Sequence, residues 1–227
     1  MQICNNTLMI LKWMSTINGG IKIDPGTKLY SKSDIGSMCA VVEVDETFPC
    51  AFVTSNLQKF LATVSLFDEP EFEFDDECVR VSSINGKNRM KFYQSQPSVV
   101  NQNNKIPRPQ TDISLQLHLK SEDLQKIFKA ASVMNVADIC IRAYGGIITI
   151  SSLNKNETTT DTMEIIIGEC DPNLEVTYFF KRSYLKLLTE FSYDVEIYSS
   201  GLSKFSATDS PFKQFDIYVV TQVNNKD

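Results

Sequence analysis

Four lysines recur at one phase of a repeated apolar pattern, and their type and spacing are the most chemically suggestive feature of the chain. Leu57, Phe60, Leu61 and Val64 fall at i, i+3, i+4 and i+7, with Lys59 at i+2. Helix geometry puts i+2 about 200° round the wheel from i, so Lys59 points away from the face its neighbours bury. Leu124, Ile127, Phe128 and Ala131 carry Lys126 at the same phase, Tyr184, Leu187, Leu188 and Phe191 carry Lys186, and Ile10, Trp13, Met14 and Ile17 carry Lys12. Lysine is common on exposed helix faces, but Lys and Arg make up only 22 of 227 residues, so recurrence at a fixed phase is informative.

The charge balance says what these lysines could meet. Segments 7–18, 55–67, 120–134 and 181–191 hold eight basic and three acidic residues, a net of +5 on a chain of net −6, which leaves −11 on the remainder. An acidic body carrying basic helices is a segregated field suited to a polyanion contacted on one surface. The overall negative charge argues against a generally basic nucleic-acid binder.

Catalytic chemistry has little to work with. Asp75-Asp76-Glu77 sets three carboxylates in a row, but between two alternating apolar stretches it reads as a solvated hairpin turn. His118 is the single histidine and falls in a predicted strand; Cys4, Cys39, Cys50, Cys78, Cys140 and Cys170 are scattered with no C-x-x-C pair. That is poor material for zinc and suits reduced thiols, so the sequons at Asn5 and Asn156 are expected to carry no sugar. There is no G-x-x-x-x-G-K-[ST] loop and no G-x-G-x-x-G fingerprint. The reading is non-enzymatic, with no cofactor and no metal. The first 17 residues lack the basic start of a signal peptide, and no apolar run approaches the roughly 20 residues needed to span a bilayer.

The elements that would position the lysines follow from periodicity. A helix over 7–18 stops at Gly19-Gly20; strands are predicted over 21–23, 28–31, 38–44 and 48–54, the last entering a second helix with Ser55 as its cap. Residues 71–74, 79–84 and 90–94 read as strands, the last two joined by the hairpin signal Asn85-Gly86. Residues 95–111, with Pro97, Pro107 and Pro109, read as a linker between domains at 1–94 and 112–227. The second domain restarts with a strand over 113–119, Ser121 as a cap, a third helix, strands over 138–143, 147–153, 163–167 and 174–180, a fourth helix, and strands over 195–199, 204–207 and 215–223. Each half is then two copies of a helix followed by antiparallel strands, an α+β chain with an internal repeat at about the 50-residue scale.

Leu11-Lys12, Ser15-Thr16-Ile17-Asn18, Gly20-Ile21, Leu57-Gln58, Phe60-Leu61, Ser65-Leu66 and Ser121-Glu122-Asp123-Leu124-Gln125 run in register with the sliding clamps of T-even bacteriophages, which the chain resembles over most of its length. The resemblance implies the DNA-clamp fold: two similar domains per subunit and a homotrimeric ring, helices lining the hole and sheets outside. It implies a processivity factor that encircles double-stranded DNA and tethers the DNA polymerase, an ATP-dependent clamp loader, and a role in phage late transcription with RNA polymerase-associated factors. The setting would be the cytoplasm of an infected bacterium. Lys12, Lys59, Lys126, Lys129, Arg182 and Lys186 become DNA-facing, with Lys120 and Lys181 at helix starts, and contact is expected to favour the second domain. Subunits would pair through Met90 and Phe92 on one edge strand and Met163, Ile165 and Ile167 on another. Partner peptides would dock at Val99, Val100, Ile106, Tyr218 and Val220. The alternative is a monomeric viral processivity factor gripping DNA on an open face.

Overall fold

The computed structural model describes the chain except for residues 101–104, 110, 158 and 223–227. It divides into two compact units, Met1–Ile106 with Pro211–Phe215, and Pro107–Ser210 with Asp216–Asp227.

In the first unit, α1 (Asn5–Ile17) buries Ile10, Leu11, Met14 and Ile17. Its N-terminus is anchored from a distance: Glu46 accepts from the Cys4 N–H at 2.5 Å and from the Thr7 hydroxyl at 2.6 Å. Burial pushes the Glu46 carboxyl up, but these hydrogen bonds outweigh it and hold the group below the usual carboxylate value. After α1 the chain passes Gly20, where a Cβ would lie 3.1 Å from the Thr54 carbonyl and 3.2 Å from Val100. This close approach is what requires a glycine. β1 (Ile21–Ile23) pairs antiparallel with β4 (Phe52–Thr54), and β2 (Gly26–Lys32) forms a hairpin with β3 (Met38–Phe48). The strand predicted over 48–54 is therefore split: Phe48 ends β3, and Pro49, which has no N–H to give a ladder, precedes the break.

Helix α2 (Leu57–Val64) buries Leu57, Phe60 and Val64. Its cap is Asn56 rather than the predicted Ser55, the Asn56 side chain accepting from the Lys59 N–H at 2.9 Å. β5 (Pro70–Phe74), β6 (Cys78–Ser83) and β7 (Arg89–Tyr93) form an antiparallel meander in that order. The acidic triplet is its first turn, where Asp75 accepts from the N–H groups of Glu77 and Cys78 at 2.9 and 2.7 Å. The second turn needs Gly86 at φ +66°. Between helix and meander lies a phenylalanine cluster: Phe60 is 5.0 Å from Phe52 and from Phe92, and 6.4 Å from Phe72.

The second unit starts with β8 (Ile113–Leu119) and α3 (Ser121–Val133). β9 (Asp138–Tyr144), β10 (Ile147–Leu153), β11 (Met163–Glu169) and β12 (Val176–Lys181) form a sheet in the order β11-β10-β9-β12. β13 (Tyr193–Tyr198), β14 (Leu202–Ala207) and β15 (Gln214–Val220) pair in sequence, with β13 also on β8. α3 packs on β10 and β11 through Leu124, Ile127 and Ala131. Glu122 and Asp123 in its first turn suit the helix dipole. Ser121 lies inside that turn rather than capping it, and its N–H is taken by the Ser192 hydroxyl at 3.2 Å. The last strand ends at Val220, and Val223, in the predicted span, lies outside the described residues.

The predicted fourth helix does not form. Among the described residues there are three α-helices, and between Lys181 and Tyr193 the chain makes two isolated turns. The carbonyls a helix would use internally are engaged elsewhere: Leu188 accepts from the Tyr193 hydroxyl at 2.9 Å and Thr189 from Gln125 at 3.1 Å. The buried residues are Leu185 and Leu187, two apart, rather than the predicted helical set. Eleven residues separate the two strands, and a helical nucleus is costly enough to form that these tertiary contacts outcompete it. Among the described residues no helix is long and apolar enough to cross a membrane.

Candidate nucleic-acid interface

Within the first unit α1 packs against α2, and each keeps a narrow exposed stripe. On α1 the exposed residues of the last two turns are Lys12 and Thr16; on α2 they are Gln58, Lys59 and Ala62. Both lysines thus stand on faces opposite buried apolar residues, as their phase predicts. The surroundings temper them, since the open groove beside Lys12 also has Glu46, Asp68 and Glu69 in its wall.

The second unit concentrates more positive charge. On α3, Lys126 and Lys129 are exposed one turn apart, and Lys120 is exposed just before the helix. Lys126 also lies 3.9 Å from Asp123 of its own helix. Residues 182–192 run alongside α3 in the opposite direction, tied at three points: Ser192 to the Ser121 N–H, the Thr189 carbonyl to Gln125, and Arg182 to the Ala131 carbonyl. That segment occupies the place the fourth helix was expected to take. Lys181 is exposed and Lys186 half-buried along it, so the basic residues stay beside α3 even though their helical phase is lost.

Arg182 has a use that sequence reasoning missed. Its guanidinium donates to the Ala131 carbonyl at 2.5 Å, and its own N–H to the Ala137 carbonyl at 2.9 Å. A cation on one of the last carbonyls of α3 complements the negative end of the helix dipole. Half-buried, Arg182 is a structural clasp first and a surface charge second. No local motif signals this, because donor and acceptor are 51 positions apart. Glu46 at the start of α1 was missed for the same reason.

β7 and β11 are edge strands of their sheets, and their residues alternate between exposed and half-buried. Met90 and Phe92 lie on the less exposed face of β7, and Met163, Ile165 and Ile167 are the half-buried residues named on β11. Of the residues named for partner docking, Val99 and Val220 are exposed, Ile106 is half-buried, and Val100 and Tyr218 are buried.

The comparisons agree in kind. Residues 116–213 match the family model described as gp45 sliding clamp, C terminal. The chain is 29% identical to the sliding clamp of Vibrio phage KVP40 over 208 residues, covering 90% of this chain and 94% of that one. It is 23% identical to the sliding clamp of Enterobacteria phage T4 over 190 residues, covering 82% and 83%. Among solved structures, the Proliferating Cellular Nuclear Antigen of Entamoeba histolytica superposes with a TM-score of 0.69 at 14% identity, over 96% of this chain and 95% of that one. A PCNA of A. fulgidus, solved with the C-terminal region of FEN-1 bound, gives 0.69 at 10% identity and 96% of each chain. Helices and antiparallel sheets arranged as described are the clamp fold, and over most of its length this chain is similar to the sliding clamps of T4-like phages.

Proposed function

We propose that three copies of this chain close a ring around duplex DNA, slide along it, and tether the replicative DNA polymerase, a clamp loader opening the ring with ATP. The observation that carries this reading is the set of exposed lysines on helices whose opposite faces are buried, Lys12 and Lys59 in one unit and Lys126 and Lys129 in the other, with Lys120 exposed just before α3. Such contacts to phosphate are independent of sequence and sensitive to salt. Lys181 and Lys186 add to them along the segment beside α3, and Arg182 contributes charge from its clasp. The greater number of basic residues in the second unit favours that half as the stronger DNA contact. Residues 95–111 link the two domains, β7 of one copy pairs with β11 of the next, and partner peptides dock around Val99, Val100, Ile106, Tyr218 and Val220. The reading involves no chemistry of the chain's own. The proposal extends to a role in phage late transcription, in the cytoplasm of the infected host.

Light scattering should return three times the 25.7 kDa chain mass at micromolar concentration. With loader and ATP, the protein should stay on nicked circular DNA and leave when the circle is cut. Tight, loader-free binding to linear duplex by a monomer would instead establish the open-faced processivity factor.

A further inference from the structure

In the β5–β7 meander and the β9–β12 sheet, the edge strands left unpaired among the described residues, β7 and β11, carry opposite charges. The other edge of each of these two sheets is closed from within its own unit. β5 is covered by the chain start, where Met1 and Phe72 exchange hydrogen bonds of 2.6 and 2.7 Å, and β12 by Gln222, whose N–H donates to the Phe179 carbonyl at 2.7 Å. β7 and β11 have no such cover among the described residues. On β7 the exposed positions are Arg89, Lys91 and Tyr93; on β11 they are Glu164, Ile166 and Glu169.

These charges have no opposite partner at home. The cross-strand neighbour of Lys91 is Arg80, another cation, whose guanidinium is already held by Asp75 at 2.7 Å and Glu73 at 3.5 Å. The cross-strand neighbour of Glu164 is Ser151, and that of Glu169 is Ile147. Among the described residues, Arg89, Lys91, Glu164 and Glu169 form no ion pair.

We infer that β7 of one copy recognises β11 of the next by charge, with Lys91 set opposite Glu164, so that association is head-to-tail and weakens with salt. The inference rests on the ring reading above and adds what fixes the register and polarity of its joints. Side chains alternate along a strand, so pairing must keep the less exposed faces together: Met90 and Phe92 with Met163 and Ile165. Only every second register does so, and placing Lys91, the middle residue of β7, opposite Glu164 is one of them. Cross-strand pairs of opposite charge stabilise and like charges destabilise. Pairing β7 with a second β7 would bring Arg89 and Lys91 against themselves, and pairing β11 with β11 would do the same for Glu164 and Glu169. Both symmetric dimers are therefore disfavoured, and the contact left is the heterologous one that builds rings.

The test uses the full chain as wild type, Lys91→Glu, Glu164→Lys, and the double exchange, each checked for folding by circular dichroism and followed by sedimentation equilibrium. Each single change should raise the dissociation constant per joint about 3- to 10-fold, and the double exchange should return it to within about 2-fold of wild type. Raising salt from about 0.05 to about 0.5 M should weaken the wild type, as screening shortens the reach of exposed charges. If the wild type associates but the singles match it, or the double is as weak as the singles combined, the charge register is wrong and the ring stands. If the wild type stays monomeric at high concentration, both fall.

Discussion

Replacing Arg182 by Ala separates the two uses of this residue. The guanidinium donates to the Ala131 carbonyl at 2.5 Å, and Ala131 is fully buried. A hydrogen bond from a charged donor contributes roughly 1.5–3 kcal/mol net, and loss of the donor leaves the Ala131 carbonyl with only the Val136 N–H, at 3.0 Å. The dipole interaction lies within the same contact and is not added to it. A loss of about 2 kcal/mol should lower the melting midpoint by roughly 4–8 °C for a chain of this size. Arg182→Lys keeps the charge but not the fork and should recover part of the loss. The assay is thermal unfolding by circular dichroism beside retention on circular DNA over a salt series. The expected result is a clear drop in midpoint with a small change in retention. A midpoint within about 1 °C of wild type, together with a large loss of retention, would refute the clasp and return Arg182 to the DNA-facing set.

Three further outcomes follow from the same structure. Lys126→Ala with Lys129→Ala should leave the melting midpoint nearly unchanged, since both side chains are exposed. The pair should reduce the slope of log affinity against log salt by about 2, measured by fluorescence anisotropy on duplex DNA, if each lysine meets one phosphate. Glu46→Gln should remove an acid-sensitive part of stability. The folded Glu46 carboxyl titrates below its ordinary value of 4.5, so its contribution is complete above that value and is lost as pH falls through the lower, folded one. Urea titrations at neutral and acid pH should therefore show the variant weaker near neutrality and the difference closing in acid. Phe60→Ala should cost about 3–5 kcal/mol by urea unfolding, because Phe60 touches Phe52, Phe72 and Phe92 and its removal opens a cavity at the centre of the first unit.

Much of the fold was legible because its elements answer to local rules. The apolar spacing around Lys12, Lys59 and Lys126 is helical, and α1, α2 and α3 form there with those lysines exposed. Asp75-Asp76-Glu77 and Asn85-Gly86 read as turns and are turns. The caps were legible only in part, because Ser55 and Asn56 are both able caps and the choice depends on where β4 ends.

By itself the sequence determined the alternation of apolar and polar residues, and hence three helices, their exposed lysines and the antiparallel strands, since burial of one face is a local periodic demand. Tertiary structure alone decided the segment after Lys181. Its spacing is as helical as the others, yet its carbonyls are taken by Tyr193 and Gln125, and its Arg182 closes the end of α3. A pattern records which residues prefer to be buried; it cannot record that a distant donor will claim the carbonyls the helix needed. The same holds for β7 and β11. Their charges are plain in the sequence, but which strands are left without a neighbour, and so where Lys91 and Glu164 are offered, is settled by how the sheets pair.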